Sequence, residues 1–253
     1  MLYFSGTGNT RFAVQTFAQH FNHVEHFSIE EDIDYQHKIH EAEEITIAYP
    51  IYTSQMPKNM EAFLLKYKEY FLDKTVHVLV TQLFFSGDGA MLAIRLLGKK
   101  RVKVGQLMHL SMPNNISDVS FLKVVDDNRL KMILDQKALK IKRMADRINQ
   151  GKKYRHGSRF YSRVLGYLFQ RIFEPKFFYK FRQRLTVDEN CILCQKCVNH
   201  CPVENLYQEE GLILSSHQCI LCYRCVNICP TKSISIIGKK GPIKQYMNDN
   251  LVK

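Results

Sequence analysis

From residue 191 the chain reads CILCQKCVNHCP, and from residue 219 it reads CILCYRCVNICP, so one pattern of thiols recurs after 28 residues. These are all eight cysteines of the chain; none stands before residue 191, and together they span 39 positions. Disulfides usually staple small, loop-rich secreted chains that lack a sufficient core. Here the first 150 residues alternate apolar runs with amphipathic stretches and can bury a core unaided. Clustered thiols in a duplicated run therefore point to metal ligation in a reducing compartment.

Each half has the form Cys-x2-Cys-x2-Cys-x3-Cys-Pro and resembles the cluster-binding run of bacterial ferredoxins. The resemblance implies two [4Fe-4S] clusters with crossed ligands. One takes Cys191, Cys194 and Cys197 with Cys229, the other Cys219, Cys222 and Cys225 with Cys201. Pro202 and Pro230 turn the chain away, and Ile192, Leu193, Ile220 and Leu221 stand where they can shield sulfur from water. Paired Cys-x2-Cys motifs also bind zinc, but four-coordinate zinc does not call for a doubled three-plus-one arrangement. His200 and His217 flank the runs, yet eight thiols suffice for eight cluster corners. Relatives often carry glycine inside the run, where this chain has Leu193, Gln195, Leu221 and Tyr223. Lys196 and Arg224 would place positive charge beside the clusters and favour the reduced state, or else be plain solvated side chains.

A second candidate lies at the N-terminus. Ser5, Gly6, Thr7, Gly8, Asn9 and Thr10 follow an apolar strand pattern and lead into a helical one. Glycines there let the backbone approach a phosphate, hydroxyls donate to it, and a helix N-terminus presents free N–H groups. The plain alternative is a tight strand-to-helix turn.

The elements that must position this loop read as a doubly wound α/β fold. Strands are expected at Met1 to Phe4, Val24 to Ser28, Ile45 to Tyr49, Val76 to Gln82 and Val104 to Leu110. Helices are expected near 10–21, 57–71, 89–99 and 127–149. Five strands in that pattern match a flavodoxin-like parallel sheet of order 2-1-3-4-5, which binds ligands beyond the carboxyl ends of its strands. Two further loops end there: Pro50, Ile51, Tyr52, Thr53 and Ser54 after the third strand, and Leu83, Phe84, Phe85, Ser86, Gly87 and Asp88 after the fourth.

The string SGTGNT resembles the phosphate loop of flavodoxins, which bind flavin mononucleotide (FMN). The loops PIYTSQMP and FFSGDGA resemble their flavin-ring loops, with Tyr52 as stacking aromatic and the 83–89 segment on the other side. Thr53 and Ser54 stand where many relatives have glycine. Either of Phe84 and Phe85 could point into the core instead, and at least one is expected to wall the ring. With MPNN at 112–115 and the terminal cysteine runs, the whole is similar to the flavodoxin-ferredoxin fusion proteins of anaerobic microbes. The expected domains are a flavodoxin-like FMN domain at 1–150, a connecting segment at 151–186, a small α+β ferredoxin domain at 187–238 and a tail at 239–253.

Charge sets the connecting segment apart. The chain carries a net +12, and residues 131–184 hold 16 Lys and Arg against 3 Asp and Glu. Residues 154–181 interleave these with ten Phe and Tyr, and apolar pairs at 160/161, 164/165, 168/169 and 172/173 predict a helix ended by Pro175. Such a stripe can pack on the body of the protein, dock an acidic redox partner across 154–184, or lie on an anionic membrane surface. Nucleic acid is not expected, because no recognition motif accompanies the basic and aromatic residues. The N-terminus lacks a signal-peptide pattern and no apolar run suits a membrane span, so the expectation is a cytoplasmic protein.

Together these readings imply an electron carrier that relays between low-potential clusters and FMN. Two alternatives stand beside it: an FMN-dependent reductase of a quinone or nitro compound, and a redox-sensing regulator. No hydrolytic constellation is evident, and the isolated His77 and His109 read as core or surface residues.

Overall fold

The computed structural model describes residues 1–52, 54–168, 172 and 174–246. Thr53, and Phe169, Arg171 and Phe173 of the expected stripe, lie outside the described residues. The chain forms two compact units: residues 1–5, 9–112 and 132–172 in the first, and 6–8, 113–131 and the described residues from 174 on in the second.

The first unit is built on five parallel strands, β1 (Leu2–Tyr3), β2 (Phe27–Ser28), β3 (Glu44–Pro50), β4 (Thr75–Gln82) and β5 (Lys103–Ser111), in the order β2-β1-β3-β4-β5. This is the flavodoxin-like order expected from the sequence. In β4, Val76 and the four residues Val78–Thr81 are buried, as befits a central parallel strand covered on both faces. Tyr3, Ala48, Leu79 and Met108 from four strands pack with Ala13, Val14 and Phe17 of α1 (Asn9–Ala18) and with Ile141, Met144 and Ala145 of α5 (Asp127–Asn149).

Between them run α2 (Tyr35–Glu41), α3 (Lys58–Lys66) followed by a 3-10 turn at Lys68–Phe71, and α4 (Met91–Leu97). The helix α2 was not legible, because only Tyr35 and Ile39 of its face are buried. It is set by Asp34, whose carboxylate accepts from the His37 N–H at 3.1 Å. His77 also has a definite place. It fills a register shift between β4 and β5, accepts from the Gln106 N–H at 2.9 Å, and lies where a Cβ on Gly105 would come within 2.5 Å of it.

The connecting segment first follows the edge of β5. Leu107 N–H donates to Tyr154 O and His156 N–H to Leu107 O, both at 3.0 Å, in a parallel bridge. Next comes α6 (Phe160–Gly166), shorter than the expected helix. Pro175 does not end that helix; it stands in the first turn of α7 (Glu174–Arg182), where a missing N–H costs nothing.

The second unit pairs β6 (Thr186–Val187) with β9 (Ile234–Ser235) and β7 (Leu206–Glu209) with β8 (Leu212–Ser215), both antiparallel, around α8 (Lys196–Asn199) and α9 (Arg224–Ile228). The 28-residue offset of the sequence carries α8 onto α9. The duplication is therefore structural as well as sequential.

Candidate functional site

In the second unit the thiols gather in two sets. Cys191, Cys194, Cys197 and Cys229 line one small cavity with Ile213, Thr231 and Ile234. Burial and the neighbouring Cys229 and Cys191 push the Cys197 thiol up to about 11. Burial and the neighbouring Cys222 and Cys201 push Cys219 up to about 12, and Cys225 is raised by burial and by Cys219, Cys222 and Cys201, with a smaller effect of Cys197 from the first set. Each grouping joins three close cysteines of one run to the fourth of the other. All eight are free thiols.

Thiols ringing a cavity suit a four-cornered cluster. With thiol pKa values this high, iron must displace protons as it binds.

Backbone conformation explains the spacing between ligands. Leu193, Gln195, Leu221 and Tyr223 all adopt left-handed φ angles, of 54°, 57°, 57° and 63°. These are the four positions where relatives often carry glycine, and each L-residue held there costs about 1–2 kcal/mol. The geometry turns amides toward sulfur. Leu221 N–H donates to Cys219 Sγ at 3.3 Å, and the offset pair Asn205 and Ser233 donate to Cys201 and Cys229 at 3.2 and 3.3 Å. Such bonds stabilise the more negative state of a cluster. Gln195→Gly is expected to raise stability by about 0.5 kcal/mol, the relieved strain less the entropy of glycine. Anaerobic urea denaturation checks it; a loss would show that the glutamine side chain matters more than its backbone.

The two sets differ in exposure. Cys194 is exposed and Ile192 is 62% exposed, while Cys219, Cys222, Cys225, Ile220 and Leu221 are buried. Ile192 thus shields less than expected. Arg224 is not a solvated side chain. Its guanidinium donates to His200 O at 3.1 Å and to Gly6 O at 3.2 Å, within the same unit. Asp118, missed by sequence reasoning, accepts from Tyr223 Oη at 2.8 Å and from the N–H groups of Ile236, Ile237 and Gly238 at 2.6, 2.9 and 3.0 Å.

The glycine loop joins β1 to α1 as expected. Gly8 has φ 87°, Ser5 Oγ accepts from the Arg11 N–H at 3.2 Å, and Thr10 Oγ1 meets Thr81 Oγ1 at 2.8 Å. Thr7 is held by Asn115, whose amide donates to Thr7 Oγ1 at 2.6 Å. The MPNN string supplies that amide, a role its sequence did not reveal.

At the carboxyl end of β3, Tyr52 and Gln55 exchange backbone bonds of 3.0 and 2.8 Å, and Ser54 is fully buried with φ 59°. In the first turn of α3, Asn59 buries both amide atoms with no partner among the described residues, a polar group left for something the protein does not supply. After β4, Phe84 and Phe85 are exposed, at 77% and 44%, so neither is core. Ser86 and Asp88 are fully buried beneath them; Asp88 pairs with Arg95 at 2.5 Å, and Ser86 donates to Gln82. Within the first unit, the buried amide of Asn59 and the loops after β3 and β4 gather polar groups at the carboxyl ends of the strands, which fits a flavin-type ligand there.

His109 supports the second loop from β5. Ala90 N–H donates to its Nε2 at 3.2 Å, which leaves the proton on Nδ1, 3.3 Å from Ser86 Oγ. Burial, with His156 nearby, pulls its pKa down to about 4, against a smaller opposite effect of Asp88. The folded value lies below the unfolded value near 6.5. This contribution to stability is therefore complete above about pH 6.5 and lost as pH falls toward 4, by roughly 2–3 kcal/mol. Denaturation of wild type and His109→Gln across that range checks it: the variant is expected to show a flatter profile, and parallel profiles would assign the acid loss elsewhere.

A cavity of about 460 Å³ lies at the opposite, amino ends of the strands, lined by Met1, Phe21, Lys38, His77, Met108 and Ile148 among others. It is remote in the fold from the loops at the carboxyl ends, where a sheet of this order binds ligands.

Residues 185–230 match the family described as 4Fe-4S dicluster domain. Solved structures similar to the chain include a flavodoxin from the domain Archaea, at 15% identity over 57% of this chain and 96% of that one, with a TM-score of 0.36. Another is oxidised flavodoxin 2 from Bacillus cereus, at 15% identity over 60% and 97%, with a TM-score of 0.41. No curated protein matches the chain. The dicluster match and the strand order, each independent of the other, describe an iron-sulfur domain joined to a flavodoxin-like sheet. No described helix is long and apolar enough to cross a membrane.

Proposed function

We propose that this chain, an iron-sulfur domain joined to a flavodoxin-like sheet, relays electrons between two [4Fe-4S] clusters and FMN on behalf of a partner redox enzyme in anaerobic metabolism. The observation that carries the reading is the division of eight thiols into two crossed sets, of which only the first has an exposed member, Cys194. When bound, clusters supply one-electron steps and a flavin one- or two-electron steps, so the pair converts between the two.

Each chain segment then has a task. Cys191, Cys194, Cys197 and Cys229 would hold the cluster nearer water, and Cys219, Cys222, Cys225 and Cys201 the buried one. Exposed Lys196, beside the first set, offers a positive contact to an acidic partner. Arg224, between Cys222 and Cys225, reaches Gly6 of the glycine loop, so one side chain spans the ligands of the buried set and the backbone that would cradle the phosphate. Tyr52 and the 83–88 loop would flank the flavin ring. Exposure of Phe84 also favours a second reading, a reductase that admits a small acceptor such as a quinone or nitro compound beside the ring.

Iron, acid-labile sulfide and released flavin on anaerobically purified protein test the relay. Eight irons, eight sulfides and one FMN per chain are expected, matching eight thiolate ligands. Full clusters without flavin would remove the two-electron step. Steady turnover with small acceptors would select the reductase.

A further inference from the structure

We infer that α6 and the turn before it form a docking surface for an anionic lipid bilayer. The helix has two unlike faces. Inward, Gly166 and Ser162 lie against the 83–89 loop so closely that a Cβ on Gly87 would come within 2.6 Å of Ser162 O and 2.7 Å of Gly166 Cα. Small residues on that side let the backbones touch and fix the helix on its unit. Outward on the helix Phe160 is 78% exposed, Tyr161 56% and Leu165 39%, and directly after it Tyr167 is 56% and Leu168 52% exposed. A run of large apolar and aromatic side chains facing water on a fixed helix is costly to leave uncovered.

Charge identifies what covers it. Residues 151–168 contain Lys152, Lys153, Arg155, Arg159 and Arg163 and no Asp or Glu, and all five cations are exposed. Arg155 is held on β5, its guanidinium donating to Gly105 O, Val104 O and Tyr154 O, whereas Arg159 stands at the approach to α6 and Arg163 lies within it between the aromatics. The pattern is a short helix with apolar residues outward and cations at Arg159 and Arg163 beside them, preceded by a basic turn. It matches a bilayer interface, where rings and leucines enter the acyl boundary and cations meet phosphate headgroups. An acidic protein would satisfy the cations alone and leave the outward apolar face unexplained.

The test is co-sedimentation of the anaerobically purified full-length protein with vesicles of phosphatidylglycerol and phosphatidylcholine, or of phosphatidylcholine alone. Binding to the anionic vesicles only is expected, weakening as salt rises. Each of Arg159→Gln and Arg163→Gln should lower partitioning about fivefold. The triple variant Phe160→Ser, Leu165→Ser, Leu168→Ser should lower it at least about tenfold, with cluster absorbance and circular dichroism unchanged. Should the triple variant misfold, Phe160→Ser and Leu168→Ser are measured singly, each expected to weaken binding. No binding to anionic vesicles overturns the proposal. So does binding that depends on the arginines but not on the apolar residues, which would mark a site for an acidic protein.

Discussion

The double variant Cys194→Ser, Cys229→Ser is expected to keep about four irons per chain, as many as either single variant, because both thiols serve one cluster. Those two residues line one cavity although 35 positions separate them. By contrast Cys194→Ser, Cys201→Ser should lose nearly all iron, since Cys201 lies with Cys219 in the other set, only seven positions from Cys194. Two removals acting on one site cost no more than one, while removals at separate sites add. Iron and sulfide analysis after anaerobic reconstitution reads the difference, about four against about zero from eight. The reverse pattern would mean that each run binds its own cluster, and the crossed reading would fall.

That sequence could show this much follows from what ligation demands. Metal ligands need fixed residue types at fixed spacing, so the cysteine runs were legible from one chain, duplication included. The parallel sheet was legible because its central strands are near-continuous apolar runs and its long helices have a strong period. Boundaries at the sheet edge were less so: β2 was expected from Val24 but begins at Phe27, where pairing to β1 starts. The run's departures from glycine showed where something unusual stood, but not that all four residues would take the same left-handed conformation. Residues that act through distant partners left no local signal. Asn115 reaches back 108 positions to Thr7, and His109 is an ordinary strand residue until Ala90 and Ser86 are placed around it.

Asp118 is the extreme case, because its four partners lie 105 to 120 positions further on. One carboxylate oxygen takes three consecutive N–H groups at the end of β9, and the other takes the hydroxyl of Tyr223, a residue between Cys222 and Arg224. Burial first, and Asp118 second, raise the pKa of that hydroxyl, so it stays a donor. The backbones approach so closely that a Cβ on Gly238 would strike Asp118 O. Asp118→Ala therefore leaves four donors without their acceptor, and the loss is expected to be about 3–4 kcal/mol. Asp118→Asn keeps an acceptor oxygen but exchanges charge-assisted bonds for neutral ones and turns an amide donor toward other donors, costing about 2 kcal/mol. Tyr223→Phe removes one bond only, about 1 kcal/mol. Anaerobic urea denaturation should rank the three in that order. Iron release to a chelator should accelerate in the same order, since Tyr223 fixes the loop carrying Cys222 and Cys225. A ranking in which Tyr223→Phe is the most damaging would place the stabilisation in the packing of the buried ring. Equal iron release across all three would separate the carboxylate from the cluster loop altogether.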